Sequence, residues 1–134
     1  MPLQSEKEEK ESVMKLVARI EVNIRKEDMD SILFSAFNAG GISLWADKIW
    51  ASGGKLGEKV CEQVGLGGRV LIHDRIGGET YSLTPEKFEK GVRFYLEEGC
   101  HVRVEDRHLV PEDVTMIDAD CIVQFALFGE VRYS

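Results

Sequence analysis

The chain has 134 residues, 43% of them hydrophobic and 31% charged, with 13 glycines and only 3 prolines. That length and apolar content suffice to bury a core without metal or disulfide support, and they exclude a mainly disordered chain. No apolar run of bilayer length exists, and 17 basic against 24 acidic side chains leave a net charge of -7, so a membrane span and phosphate-backbone binding are both disfavoured.

In chain order, residues 1–12 read as a charged N-terminal arm and residues 13–134 as one α+β domain. From Leu16 the pattern alternates strictly, with Leu16, Ala18, Ile20, Val22 and Ile24 on one side, which predicts a long strand with one solvated face. Met29, Ile32, Leu33, Ala36 and Phe37 then recur at helical spacing behind the acidic first turn of Glu27, Asp28 and Asp30, and Gly40 closes that helix. Gly41–Ala51 fits two patterns: Leu44, Trp45, Lys48 and Ile49 suit a helix face, whereas Leu44, Ala46 and Trp50 suit an extended one. We read a strand ending near Ala51.

Gly53 and Gly54 make a turn, and Leu56, Val60, Cys61 and Val64 predict a short helix ending in Gly65, Gly67 and Gly68. Arg69–His73 and Thr80–Leu83 read as hairpin partners across a loop tightened by Gly77 and Gly78. Thr84 as N-cap and Pro85 at the first helical position predict a helix over Pro85–Glu98. His101–Glu105 alternates briefly, and Asp106–Thr115, broken by Pro111, reads as a loop. A last helix, Ala119–Phe128 capped by Asp118, is interrupted only by Gln124 and is expected to be largely buried. As a central packing element it would lose roughly 3 to 5 kcal/mol on Phe125→Ala. Glu130–Tyr133 adds a possible strand. The sum is an α+β fold, a mainly antiparallel sheet of four or five strands packed with three or four helices.

Two segments, Gly40-Gly41-Ile42-Ser43-Leu44-Trp45-Ala46-Asp47-Lys48 and the run from Asp118 to Val131, carry a resemblance. With Gly67–Asp74 and the helix after Thr84, they make the chain, from about Ile24 onward, similar to a family of small uncharacterised proteins of bacteriophages and prophages of anaerobic gut bacteria. The resemblance implies a phage or prophage accessory gene and carries over no activity.

Candidate chemistry is sparse. Cys100, His101, His108 and Cys121 are zinc-type donors, but none sits at the two- to four-residue gap that wraps an ion, so no metal is expected. No cofactor is implied either. The three cysteines suit reduced thiols in a cytoplasmic chain. His73-Asp74 has the look of a metal-hydrolase doublet, yet at the end of a strand Asp74 more readily accepts amides of the turn. The glycine pairs lack the spacing of phosphate loops, although consecutive glycine amides can cradle a small anion. Asp118 and Asp120 suit helix-capping and dipole roles.

Both tryptophans fall within six residues, among the charges of Asp47 and Lys48. Aromatic anchors with a polar rim are what binding surfaces use. The leading expectation is therefore a non-catalytic protein-binding or self-associating protein acting through Trp45, Asp47, Lys48 and Trp50, either as a homodimer or on a host protein. The alternative is a binder of a nucleotide-type small molecule at Gly67, Gly68, Arg69, His73, Asp74 and Arg75; a small enzyme is a third. The dimer is expected to pair one of the two terminal strands, Leu16–Ile24 or Glu130–Tyr133, at a sheet edge.

Overall fold

The computed structural model describes residues 13–16, 18–98 and 102–134. Within them lie three α-helices, α1 (Lys26–Phe37), α2 (Pro85–Glu97) and α3 (Met116–Phe128), and two antiparallel sheets. One sheet has three strands in the order β1 (Ala46–Ala51), β2 (Val70–Asp74) and β3 (Thr80–Leu83). The other pairs β4 (Val104–Glu105) with β5 (His108–Leu109). The fold is thus α+β, with sheets of three and two strands in place of one sheet of four or five. No helix among the described residues is long and apolar enough to cross a membrane.

The first predicted strand does not form. Among the described residues between Val13 and Ile24 only Asn23 makes a bridge, parallel to His108, and Leu16 and Ile20 stay exposed. Alternation supplies a face, but a strand also needs a neighbouring edge. The described residues just before Asn23 run past the tip of the β4–β5 hairpin, where Glu21 meets Arg107 and where Asp106 and Arg107 turn the chain with φ of 50° and 64°, beyond the end of the β5 edge that Asn23 joins.

The β2–β3 hairpin and α2 form where their chemistry places them. Thr84 Oγ1 accepts the Lys87 amide at 3.2 Å, and Pro85 opens the helix. The segment from Leu56 to Val64 shortens to one 3₁₀ turn, Val60–Glu62. There the buried Gln63 side chain accepts from Leu56 N and donates to Gly54 O, which ties two glycine-rich turns together. Helix α3 starts earlier than expected because Thr115, not Asp118, is the N-cap. Asp118 closes a capping box by accepting from Thr115 N at 2.8 Å. Asp118, Ala119, Ile122, Val123, Gln124 and Ala126 of α3 are buried. Met116 and Ile117 are exposed, and Cys121, Phe125, Leu127 and Phe128 are half-buried, so its enclosure is partial despite its apolar sequence. Glu130–Tyr133 is no strand; the amides of Arg132 and Tyr133 donate instead to the Gln124 side chain of α3.

Helices α2 and α3 cross with little room between them. A Cβ on Gly91 would lie 2.5 Å from the Ile122 carbonyl oxygen and 2.7 Å from the Ala126 methyl. The absent side chain at position 91 is what permits that approach. The core between the helices and the sheet draws on Ile32, Leu33, Val70, Ile72, Phe88 and Ile122.

Candidate functional site

Cross-strand pairing assigns every residue of the three-stranded sheet to a face. Ile49 pairs with Ile72 and Ile72 with Tyr81, while Ala51, Val70 and Leu83 line up beside them; this inner face lies against the core. Lys48 pairs with His73 and His73 with Thr80, and Trp50, Leu71 and Ser82 form the next row. This outer face is turned to solvent: Lys48 and Thr80 are exposed, and Leu71, His73 and Ser82 half-buried. Trp50, on its edge strand β1, is 40% exposed.

The two tryptophans therefore part company. Trp45 is 0% exposed and leaves the proposed binding quartet for the core. Its Nε1 donates to Asp120 Oδ1 at 2.8 Å, and its ring stacks on Tyr133 and meets Phe128 edge-on. The turn over residues 41–45 ends in backbone bonds from Trp45 N and Ala46 N to Ile42 O, which aims Trp45 inward before the strand begins.

Asp47, Lys48 and Trp50 stay on the surface. The β1–β2 register slips by one residue between Ala46 and Lys48, and this bulge holds Asp47 out beside His73, with Oδ1 at 2.6 Å from Nδ1. The His73 hydrogen bond keeps the Asp47 carboxyl below its ordinary range despite some opposing desolvation. The pair fixes the orientation of the ring.

The six residues of the alternative ligand site fall at opposite ends of β2. Gly67, Gly68 and Arg69 precede the strand, whereas His73, Asp74 and Arg75 close it, roughly 13 Å away at the usual rise per residue. The first group borders a groove of about 350 Å³ shared with Gly53, Gly54 and Thr84. Two of its backbone donors are spent, Gly67 N on Val64 O and Gly68 N on Gln63 O. Pro85 has no N–H, and the Glu86 carboxylate on the rim opposes the charge of a phosphate that Arg69 would attract.

At the other end Arg75 is occupied in structure, its N bonding Trp45 O and its guanidinium bonding Leu44 O. Asp74 is fully buried and accepts from Ile76 N, Gly77 N and the Tyr133 hydroxyl. Burial opposes its charge, but those bonds and nearby Arg132 prevail, and the carboxyl titrates below its ordinary range. A folded-state pKa below the unfolded one contributes stability that is complete above the unfolded value, near 3.9, and lost as pH falls through the folded value. Thermal melts between about pH 2 and 6 should therefore show a flatter acid limb for Asp74→Asn than for the wild type. Equal slopes would remove Asp74 from the acid response.

Among the described residues no group of three or more His, Cys, Asp or Glu side chains is placed to hold a metal ion. Cys100 and His101 lie outside the described residues. Leu71, Thr80 and Ser82 of the outer face escaped the sequence reading; the hairpin register, which sets them beside Trp50 and His73, was the signal for them. No protein-family model, no curated protein and no solved structure was found to match the chain.

Proposed function

We propose that this chain is a non-catalytic accessory protein of phage or prophage type, working in the cytoplasm by binding another protein chain through the outer face of its three-stranded sheet. The observation that carries the reading is Trp50, a large aromatic ring left 40% exposed on the edge strand of that face, next to half-buried Leu71. Tryptophan loses its remaining exposed apolar area when a partner closes over it, and such residues dominate interface energetics. Asp47, Lys48, His73 and Thr80 supply a polar rim of both charge signs. The net charge of -7 speaks for a protein partner over nucleic acid.

The test is affinity capture from a bacterial host extract with wild-type protein and with Trp50→Ala, both checked for equal thermal stability. An interface anchor contributes about 2 kcal/mol or more, roughly thirtyfold in affinity, so a polypeptide held by the wild type should be lost from the variant. Identical captured sets, together with equal self-association of the two proteins, would refute the sheet face as the binding surface.

A further inference from the structure

We propose that the vacant edge of β1 pairs antiparallel with β1 of a second copy of this chain, across a two-fold axis at Ile49. The inference rests on the reading of Trp50 as an interface anchor and adds the partner and the register.

β1 is an outer strand of its sheet. The bond from Ser52 N to Arg69 O, 2.9 Å, fixes the phase of the β1–β2 ladder. By alternation Trp50 with Leu71 and Lys48 with His73 are the bonded pairs, so the N–H and C=O of Ile49 and Ala51 point away from β2. No described group bonds them. The opposite edge is blunted, because Lys87 Nζ sits on the outward Ser82 carbonyl at 2.9 Å and Pro85 follows the strand. One sheet edge is therefore capped from within the chain and the other is open.

Phase and charge select the register. An axis at Asp47 or Lys48 sets like charges directly opposite each other, and one at Trp50 leaves Lys48 without a matched neighbour. An axis at Ile49 lets the two Ile49 residues exchange both hydrogen bonds, sets Ala51 against Asp47 of the second copy, and joins the sheets into one of six strands. Lys48 then faces Trp50 of the second copy in a non-hydrogen-bonded pair, where opposed side chains are closest. An ammonium over an indole face is a favourable match, made twice by the symmetry. The contact strand has six residues, so the interface is small and its affinity micromolar.

Sedimentation of the full chain from about 5 to 300 µM, with amide exchange followed by NMR at both extremes, tests this. The mass should rise from 15.1 kDa towards twice that value. The Ile49 and Ala51 amides should slow at least about tenfold at high concentration, while those of Lys48 and Trp50, already bonded to β2, stay unchanged. Lys48→Glu should weaken association at least about tenfold, and Lys48→Arg should not. A chain that remains at 15.1 kDa throughout, or a dimer whose Ile49 and Ala51 amides exchange as fast as in the monomer, overturns the pairing. A monomer that still captures a host polypeptide through Trp50 overturns the second copy as partner and leaves the binding reading intact.

Discussion

Trp45→Ala is expected to lower the unfolding free energy by about 3 to 5 kcal/mol, the range for deleting a fully buried large aromatic. The indole is completely enclosed and packs on Phe128 and Tyr133, so its removal leaves a cavity that three segments would have to close. Its N–H also answers Asp120, whose carboxylate would lose one of its donors. Denaturant unfolding measures the loss, and Trp45→Phe, which restores volume but not the donor, should recover more than half of it. A loss below about 1 kcal/mol would mean that the ring is not a packing centre. The large deletion cost expected for Phe125 thus belongs to Trp45, since Phe125 is half-buried and meets Phe94 only edge-on at 6.3 Å.

Gln124→Leu should cost about 2 to 3 kcal/mol although it adds apolar volume to an apolar helix. Gln124 is 0% exposed and all of its polar capacity is used. Its Oε1 accepts from Arg132 N and Tyr133 N, both at 2.8 Å, while Nε2 donates to Tyr133 O and Asp120 Oδ1. A leucine leaves two amides and a carbonyl without their partner. Glutamate is the sharper comparison: it keeps the acceptors but sets a second carboxylate against Asp120. It should therefore be at least as destabilising as leucine near neutral pH. If either variant unfolds like the wild type, the network does not hold the segment after α3 in place.

How much of this was legible in the sequence varied with the range of the interaction. β2, β3 and α2 were visible because their signals are local: alternation over a few residues, a threonine cap and a proline at the first helical position. The β4–β5 hairpin was not, because its two-residue turn is Asp106-Arg107, and an arginine at positive φ gives no turn signal where glycine or asparagine would. Residues 16–24 had the clearest strand pattern in the chain, yet among the described ones only Asn23 finds a partner strand. Gln124 was visible as an interruption of an apolar helix, but the backbone it serves lies eight and nine residues further on. For the candidate site, Asp47, Lys48 and Trp50 were found together. Trp45 was not separable from them, since only the turn preceding β1 distinguishes an inward ring from an outward one.

The bulge at Asp47 also bears on how this stretch tolerates changes of length. A strand keeps its faces only while its count stays in phase, and β1 carries one residue beyond what its pairing with β2 requires, between Ala46 and Lys48. Deleting Asp47 would remove that surplus, at the expense of the contact with His73, and leave Trp50 facing outward. Removing Ile49 while the bulge persists would carry Trp50 to the inner face and empty the outer one of its only large aromatic ring. Position 47 is thus where an insertion or deletion in β1 is absorbed at least expense to the surface, and the stretch from Lys48 to Ala51 is where its length is fixed.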